Sequence, residues 1–104
     1  MAYKLEFTQT FEKDLDSILD YIVNKLFNPT AAKSLYKNVK STFASVAEFP
    51  EMFPLHPLEQ LSKMGYHYCQ IGNYLAFYTV DVEEQTVYAR AMVYGPADLT
   101  KAFE

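Results

Sequence analysis

The chain is poor in the residues that mark several common classes of protein. It has one cysteine (Cys69), three glycines and no tryptophan among 104 residues. A lone thiol cannot form an intramolecular disulfide, so the framework that stabilises many small secreted proteins is missing. The N-terminus carries no apolar signal segment, and no apolar run approaches the ~20 residues that a membrane helix needs. These absences predict a single cytoplasmic domain, spanning residues 1–104, that does not bind a membrane.

Positive charge is also scarce, above all in the second half of the chain. Nine Lys and Arg residues stand against 13 Asp and Glu, which gives a net charge of -4. Between Met64 and Thr100 the only basic residue is Arg90. Proteins that grip nucleic acid through its phosphates normally carry a basic surface. The composition therefore argues against direct, sequence-specific DNA binding by this chain alone.

Aromatic residues are abundant and indicate a folded protein. Nine Tyr and eight Phe residues supply large areas for burial, which helps a small domain to build a sufficient core. The hydrophobic fraction of 50% and the many aromatics exclude a disordered chain.

The first half of the chain predicts a strand and two helices. Residues 3–7 alternate between apolar and polar, as in a half-buried strand, and Thr8 or Thr10 is expected to cap the helix that follows. Asn28-Pro29 predicts the start of a second helix, joined to the first in an antiparallel hairpin. Steps of three and four residues define one buried stripe on each helix. The stripe of the first helix is Phe11, Leu15, Ile18, Leu19, Ile22, Val23 and Leu26; that of the second is Ala32, Leu35, Tyr36, Val39, Phe43, Val46 and Ala47.

The second half predicts a loop and three strands. Residues 50–61 contain three prolines and indicate an ordered loop. Strands are predicted at 65–71, 74–81 and 86–94, joined by turns at Gly72-Asn73 and at 83–85, and the tail is expected to hold a short helical turn. The predicted fold is α+β: an N-terminal strand, a helical hairpin and a three-stranded antiparallel meander, with the helices on one face of the sheet.

The exposed faces of the two predicted helices differ in charge. The first helix carries Glu12, Asp14, Asp16 and Asp20, and the second carries Lys33, Lys37 and Lys40. The lysines are expected to form a solvated helix face or to meet an acidic partner.

The order of these segments, with their residues, resembles the RelE/ParE toxin superfamily, in particular its plasmid-stabilisation or ParE-like branch. The matching segments are residues 5–8, 14–22, 28–32, 48–55, 65–66, 73–81 and 93–95, together with Asp98. The resemblance implies a toxin of a type II toxin–antitoxin pair that is neutralised by a cognate antitoxin. It implies DNA gyrase or the ribosome as the cellular target, and it implies no cofactor.

Several basic positions of the family are replaced in this chain. The replacements are His67 and Tyr68 after Gly65-Tyr66, Gly72 before the Asn-Tyr-Leu run, Ala91 in the last strand, and Pro96-Ala97 after the final glycine. Arg90 stands one residue before the family's arginine, and such a slip is expected to move the side chain to the opposite sheet face. RelE-like toxins use basic side chains to cleave mRNA on the ribosome, and these are the groups that would stabilise charge on a phosphate.

The missing basic residues favour ParE-like inhibition of a target by binding. One alternative is a ribosome-dependent mRNA endonuclease with Arg90, His67 and Tyr94 at its catalytic site. Another is a degenerate toxin fold that binds antitoxin without activity. For Arg90 the simpler interpretation is a surface ion pair with Asp81 or Glu83.

The remaining candidates are tyrosines and two potential ligand residues. Tyr66, Tyr68, Tyr78 and Tyr88 predict either a partner-binding platform or ordinary sheet packing. The antitoxin is expected to bury apolar and tyrosine surface beside the sheet or the helical hairpin. His67 is expected to be half-exposed, and Cys69 is expected to pack in the core. These two share a strand face, but a structural zinc site needs four ligands, so no metal site is predicted.

Overall fold

The computed structural model describes residues 2–95 and has the predicted α+β architecture. Its elements are β1 (Lys4–Phe7), α1 (Gln9–Asn24), α2 (Pro29–Glu48), α3 (Glu59–Lys63), β2 (His67–Ile71), β3 (Tyr74–Asp81) and β4 (Thr86–Tyr94). The strands form one sheet in the order β1-β4-β3-β2, in which β2, β3 and β4 are the predicted antiparallel meander and β1 joins β4 in parallel. Among residues 2–95 no helix is both long and apolar enough to cross a membrane. The tail that was predicted to hold a helical turn lies outside the described residues.

Both long helices begin at side-chain caps. The Thr8 hydroxyl accepts a hydrogen bond from the Phe11 N–H (3.2 Å) and donates one to the Ala89 carbonyl (3.0 Å), so Thr8 is the cap of α1. The Asn28 side chain accepts from the Ala31 N–H at 3.1 Å, and Pro29 is the first residue of α2. Such caps are each worth ~1 kcal/mol because they satisfy donors at the helix start that have no partner within the helix.

The hairpin link differs from the prediction. α1 ends at Asn24, and Phe27 has a φ of 51°, in the left-handed region. The chain turns there, so Leu26 lies outside the helix and is exposed, together with Val23 on the last turn. Tyr36 of α2 is also exposed, at the edge of its stripe. The prediction that these three side chains are buried was wrong.

The sheet face that packs against α1 and α2 carries Ala76, Tyr78, Val87 and Ala89, and is called the hairpin face. Its centre is a chain of aromatic rings contributed by β1, α1, α2 and β3. Ring centroids lie 5.4–6.0 Å apart along the series Phe7, Phe11, Phe43 and Tyr78. The main core therefore ties both helices to the first and the central strands.

The opposite sheet face, called the α3 face, has a smaller core. Leu61 of α3 packs with Phe77 of β3 and Ala91 of β4, and each is at most 6% exposed. The five-residue α3 begins inside residues 50–61, which were predicted to be a loop, and extends past them to Lys63. Backbone hydrogen bonds at 2.9 and 3.1 Å join this segment to Tyr66 and Tyr68 at the edge of the sheet.

Candidate functional site

Arg90 occupies a β-bulge in β4. Tyr78 of β3 pairs with Ala89, and the preceding Phe77 pairs with Ala91, so Arg90 is an extra residue without a partner in the register. A bulge of this kind bends the strand and redirects a side chain.

Because of the bulge, Arg90 does not point to the opposite face of the sheet, as its one-residue shift from the family's arginine had predicted. Ala89 belongs to the core of the hairpin face, whereas Ala91 belongs to the core of the α3 face. Arg90 contacts Thr79 and Tyr88, and these two residues pair with each other across β3 and β4. Arg90 and Ala91 therefore lie on the same face, so the predicted transfer of the arginine to the opposite face was wrong.

Two neighbours hold the Arg90 guanidinium. Its Nε donates a hydrogen bond to the Thr79 hydroxyl at 2.9 Å, and its central carbon lies 4.8 Å from the centroid of the Tyr88 ring. Both contacts fix the plane of the group while leaving its charge intact. Within residues 2–95, Arg90 forms no ion pair with Asp81 or Glu83, so the simple surface pair was the wrong interpretation.

Arg90 also borders a pocket beside β4. The pocket has a volume of about 420 Å³, and its other lining residues include Thr8, Thr10, Asp14 and Tyr66. The Asp14 carboxylate accepts a hydrogen bond from the Met92 N–H at 3.1 Å. Burial raises the pKa of Asp14, and the hydrogen bond from Met92 opposes that shift. One cation and one partly buried carboxyl group thus face a space that can admit a partner side chain.

His67 is remote from this pocket. It is 8% exposed, lies on the hairpin face and stacks on the Tyr78 ring at 5.0 Å. Its Nδ1 donates to the Phe53 carbonyl at 2.7 Å, and its Nε2 lies 3.8 Å from the Glu51 carboxylate. The prediction of a half-exposed histidine was wrong, because the loop before α3 folds over it. Its contacts are those of a structural side chain.

Tyr94 lies at a third location. It is exposed, and its ring meets that of Tyr74 at 5.8 Å beside Tyr21 of α1. His67 pairs with Tyr78 and Tyr94 pairs with Tyr74, so about 13 Å of strand separates them. Arg90 is on the other face of the sheet. The three candidate catalytic residues therefore do not meet at one site.

Three of the four candidate partner-binding tyrosines share the α3 face. Tyr66 and Tyr68 flank the small core beside α3, and Tyr88 lies under Arg90; all three are half-buried. Tyr78 is different, because it is fully buried on the hairpin face and its hydroxyl donates to the Pro50 carbonyl at 2.9 Å. Burial raises the pKa of Tyr78 to about 12. Its assignment to a partner-binding surface was wrong.

One residue of the α3 face escaped the sequence prediction. His56 lies against Tyr68 and Phe77, with ring centroids 4.7 and 5.6 Å apart. Its Nδ1 accepts from the Leu58 N–H at 3.0 Å, and burial lowers its pKa. No periodicity marks a residue in this proline-rich segment, so only the tertiary contact reveals it.

Cys69 and the metal-ligating residue types offer no second site. Cys69 is 4% exposed, and burial raises the pKa of its thiol to about 11, so the reactive thiolate is scarce at neutral pH. Over residues 2–95 no three His, Cys, Asp or Glu side chains come together in a way that could hold a metal ion.

Comparison with known proteins identifies the family. The family described as "ParE toxin of type II toxin-antitoxin system, parDE" matches residues 5–91. No curated protein sequence matches the chain.

Solved structures of toxins share its fold. One is the chromosomal ParDE system of P. aeruginosa, at a TM-score of 0.70 and 17% identity over 89% of this chain and 96% of that one. The RelBE2 toxin–antitoxin complex of Mycobacterium tuberculosis aligns with a TM-score of 0.63 and 20% identity, over 90% of this chain and 99% of that one. A mutant of the E. coli toxin RelE in the free state aligns with a TM-score of 0.67 and 17% identity, over 98% of this chain and 93% of that one. The family match over most of the sequence, together with this fold, shows that the chain belongs to the ParE toxin family of type II toxin–antitoxin systems.

Proposed function

We propose that this toxin acts by binding and blocking its cellular target, with DNA gyrase as that target, and that it does so in the cytoplasm. The observation that carries the proposal is the separation of Arg90, His67 and Tyr94. A nuclease needs an acid, a base and cationic groups within hydrogen-bonding reach of one phosphate. In this chain the histidine is engaged on the hairpin face, and the arginine stands on the other side of the sheet.

The proposed contact surface is the α3 face around Arg90. Tyr88 and Thr79 hold the guanidinium, and Tyr66 and Tyr68 stand nearby on the same face. Tyrosine and arginine are enriched among the residues that dominate binding energy at protein interfaces. A held arginine among half-buried tyrosines suits a protein partner that presents a carboxylate.

We further propose that a cognate antitoxin binds and neutralises this toxin. Relatives of the same fold have been solved as complexes, among them the RelBE2 pair of Mycobacterium tuberculosis and the RelBE pair of E. coli. The aromatic surface of this chain supports such a partner, since its exposed side chains include Tyr21, Tyr36 and Tyr94.

Expression in a bacterial host without antitoxin tests the mode of action. Growth, DNA synthesis and protein synthesis are followed after induction. We expect growth arrest in which DNA synthesis fails first, as for a gyrase poison. If translation fails first and mRNA is cut, the endonuclease alternative is correct. Folded protein without any arrest would contradict a toxin for this host and would support the degenerate alternative.

Arg90→Ala tests the proposed surface. We expect the variant to fold and to lose toxicity by at least tenfold in the inducer concentration needed for arrest, because the guanidinium that Thr79 and Tyr88 hold is removed. Lys63→Ala is the matched control, since Lys63 is an exposed cation whose ion pair with Glu59 on α3 is worth little. Undiminished arrest by a stably folded Arg90→Ala protein would refute the assignment.

A further inference from the structure

An open pocket lies where the last turns of α1 meet the start of β3 and the end of β4. Its volume is about 540 Å³, which is in the range of sites for small molecules. Three tyrosines line it, namely Tyr21 from α1, Tyr74 from β3 and Tyr94 from β4, and they are called the tyrosine cluster. Tyr21 and Tyr94 are both about half exposed, so a ligand can reach their rings from solvent.

The phenol groups of the tyrosine cluster are close to one another. The rings of Tyr74 and Tyr94 meet edge to face, with their centroids 5.8 Å apart. Burial raises the pKa of Tyr74, and the neighbouring phenols of Tyr94 and Tyr21 raise it further. The Tyr74 hydroxyl is therefore uncharged at neutral pH, and the three side chains form one aromatic wall around the pocket.

Aromatic rings elsewhere in this chain already hold cations of their own. The Arg90 guanidinium lies over the Tyr88 ring, and the Lys40 ammonium lies over the rings of Phe7 and Tyr36. Over residues 2–95 no lysine or arginine lies over a ring of the tyrosine cluster or lines its pocket. The electron-rich face of a tyrosine ring attracts a cation. This part of the chain supplies none to the cluster, so its ring faces are available to a cation from another molecule.

The polar groups around the pocket also suit a cation. Ser17 contributes a hydroxyl and Asn73 an amide oxygen, and both can accept a hydrogen bond from an N–H donor. Asp14 lies one helical turn before Ser17 on the same side of α1. Its carboxylate accepts from the Met92 N–H, two residues before Tyr94. A carboxyl group therefore adjoins the pocket and adds to its attraction for positive charge.

We propose that the tyrosine cluster binds an organic cation, with the charged nitrogen group among the three rings and the carbon part against Ile18 and Leu26. A purely apolar ligand would cover the hydroxyl and amide groups of the pocket without offering them a hydrogen bond. Two sources share the proposed chemistry: a small alkylammonium molecule and the basic side chain of a partner protein. The site is separate from Arg90 and adds a binding activity to the proposed function.

The test titrates the purified full chain with three probes and follows binding by NMR chemical shifts. The probes are choline, arginine capped at both ends, and the neutral isostere of choline in which carbon replaces the nitrogen. We expect choline and capped arginine to shift the signals of the tyrosine cluster. The neutral isostere should bind at least about threefold more weakly than choline, as expected for a cation–ring contact at an accessible site. Tighter binding of choline than of capped arginine would support a small molecule, and the reverse order would support a partner's side chain.

Ring replacement separates attraction by the ring from burial of apolar surface. Tyr21→Leu and Tyr94→Leu should each weaken choline binding at least about threefold, whereas Tyr21→Phe and Tyr94→Phe keep the ring face and should stay within about twofold. Asp14→Asn should also weaken binding, because it removes the charge and keeps an acceptor for the Met92 N–H. Asp16→Asn is the matched control, since it removes the same charge from the groove between α1 and α2 and should leave the affinity unchanged.

Three results would overturn the proposal. One is equal affinity for choline and its neutral isostere, which would make the pocket an apolar surface without preference for charge. Another is undiminished choline binding by both leucine variants, which would place the cation elsewhere on the chain. The third is failure of folded wild-type protein to bind any of the probes. Because Tyr21 and Tyr94 are exposed, these variants are expected to fold, and thermal unfolding checks each of them.

Discussion

The two faces of the sheet differ in what their aromatic residues do. On the hairpin face, Phe11, Phe43 and Tyr78 are fully buried and touch one another through their rings. On the α3 face, Tyr66 and Tyr88 are half-buried and lie beside a pocket or a cation. Residues of the same kind are therefore closed off from solvent on one face and partly exposed on the other.

Under the proposed function, this contrast separates folding from activity in space. Substitutions on the hairpin face should change the free energy of unfolding, whereas substitutions around Arg90 should change toxicity and leave the fold in place. The three predictions below probe this separation.

The largest effect is expected from Phe43→Ala. Phe43 is fully buried, and its ring contacts Phe7, Phe11 and Tyr78. Removing it leaves a cavity that the two helices cannot close, at a cost of about 3–5 kcal/mol. Urea denaturation measures this change. Phe49→Ala, at a side chain that is 67% exposed, is the control and should shift stability by less than ~0.5 kcal/mol. Similar losses in the two variants would show that the core is not centred on this face.

A smaller effect is expected at alkaline pH. Burial raises the pKa of Tyr78 from 10.0 to about 12 and that of Cys69 from 9.0 to about 11. Because both values are higher in the folded state, that state holds these protons more tightly. The resulting stability is complete below about pH 9 and is lost as the pH rises towards 12, by up to about 2–3 kcal/mol for each group.

Denaturation series between pH 8 and 12 measure this loss, and Tyr78→Phe separates the two groups. The variant lacks the hydrogen bond to Pro50, so it should be about 1 kcal/mol less stable at neutral pH. It should also lose less stability than wild type above pH 10, and its toxicity should be unchanged. Parallel pH profiles for the two proteins would contradict the role of the Tyr78 hydroxyl.

The smallest effect on stability is expected from Arg90→Ala, the substitution expected to abolish toxicity. Its hydrogen bond to Thr79 and its contact with Tyr88 are partly solvated, so their loss should cost less than about 1 kcal/mol. Urea denaturation of the purified variant is the measurement. A cost comparable to that of Phe43→Ala would mean that Arg90 is a structural residue and that the two faces are not separable.

Local signals in the sequence were sufficient for the start of α2. Asn28 and Pro29 act within one turn of α2, so the start of that helix could be predicted from neighbouring residues alone. The cap of α1 could not be chosen between Thr8 and Thr10. The hydrogen bond from Thr8 to Ala89 involves a residue 81 positions away in the sequence, which no local pattern contains.

The site was harder to predict because β3 is apolar on both faces. Tyr78 and Phe77 are neighbours, both fully buried, on opposite sides of the sheet. The alternation of apolar and polar residues cannot distinguish the two faces of this strand, because its odd-numbered and its even-numbered residues both include buried apolar side chains. The tyrosines of β2 and β4 were therefore grouped with Tyr78, which belongs to the other face. The bulge could not be predicted from a glycine, because Arg90 is flanked by Ala89 and Ala91.

The bulge at Arg90 also bears on how this toxin should be aligned with its relatives. One added residue lets two successive side chains project to the same side of the sheet. Residues that share a column of a sequence alignment therefore need not occupy the same position in the structure here. A basic residue that looks displaced by one column can still serve the same surface. Conversely, deletion of Arg90 would leave Ala89 followed directly by Ala91 in a regular register, so the strand from Ala91 to Tyr94 would keep its two faces while the surface lost its guanidinium.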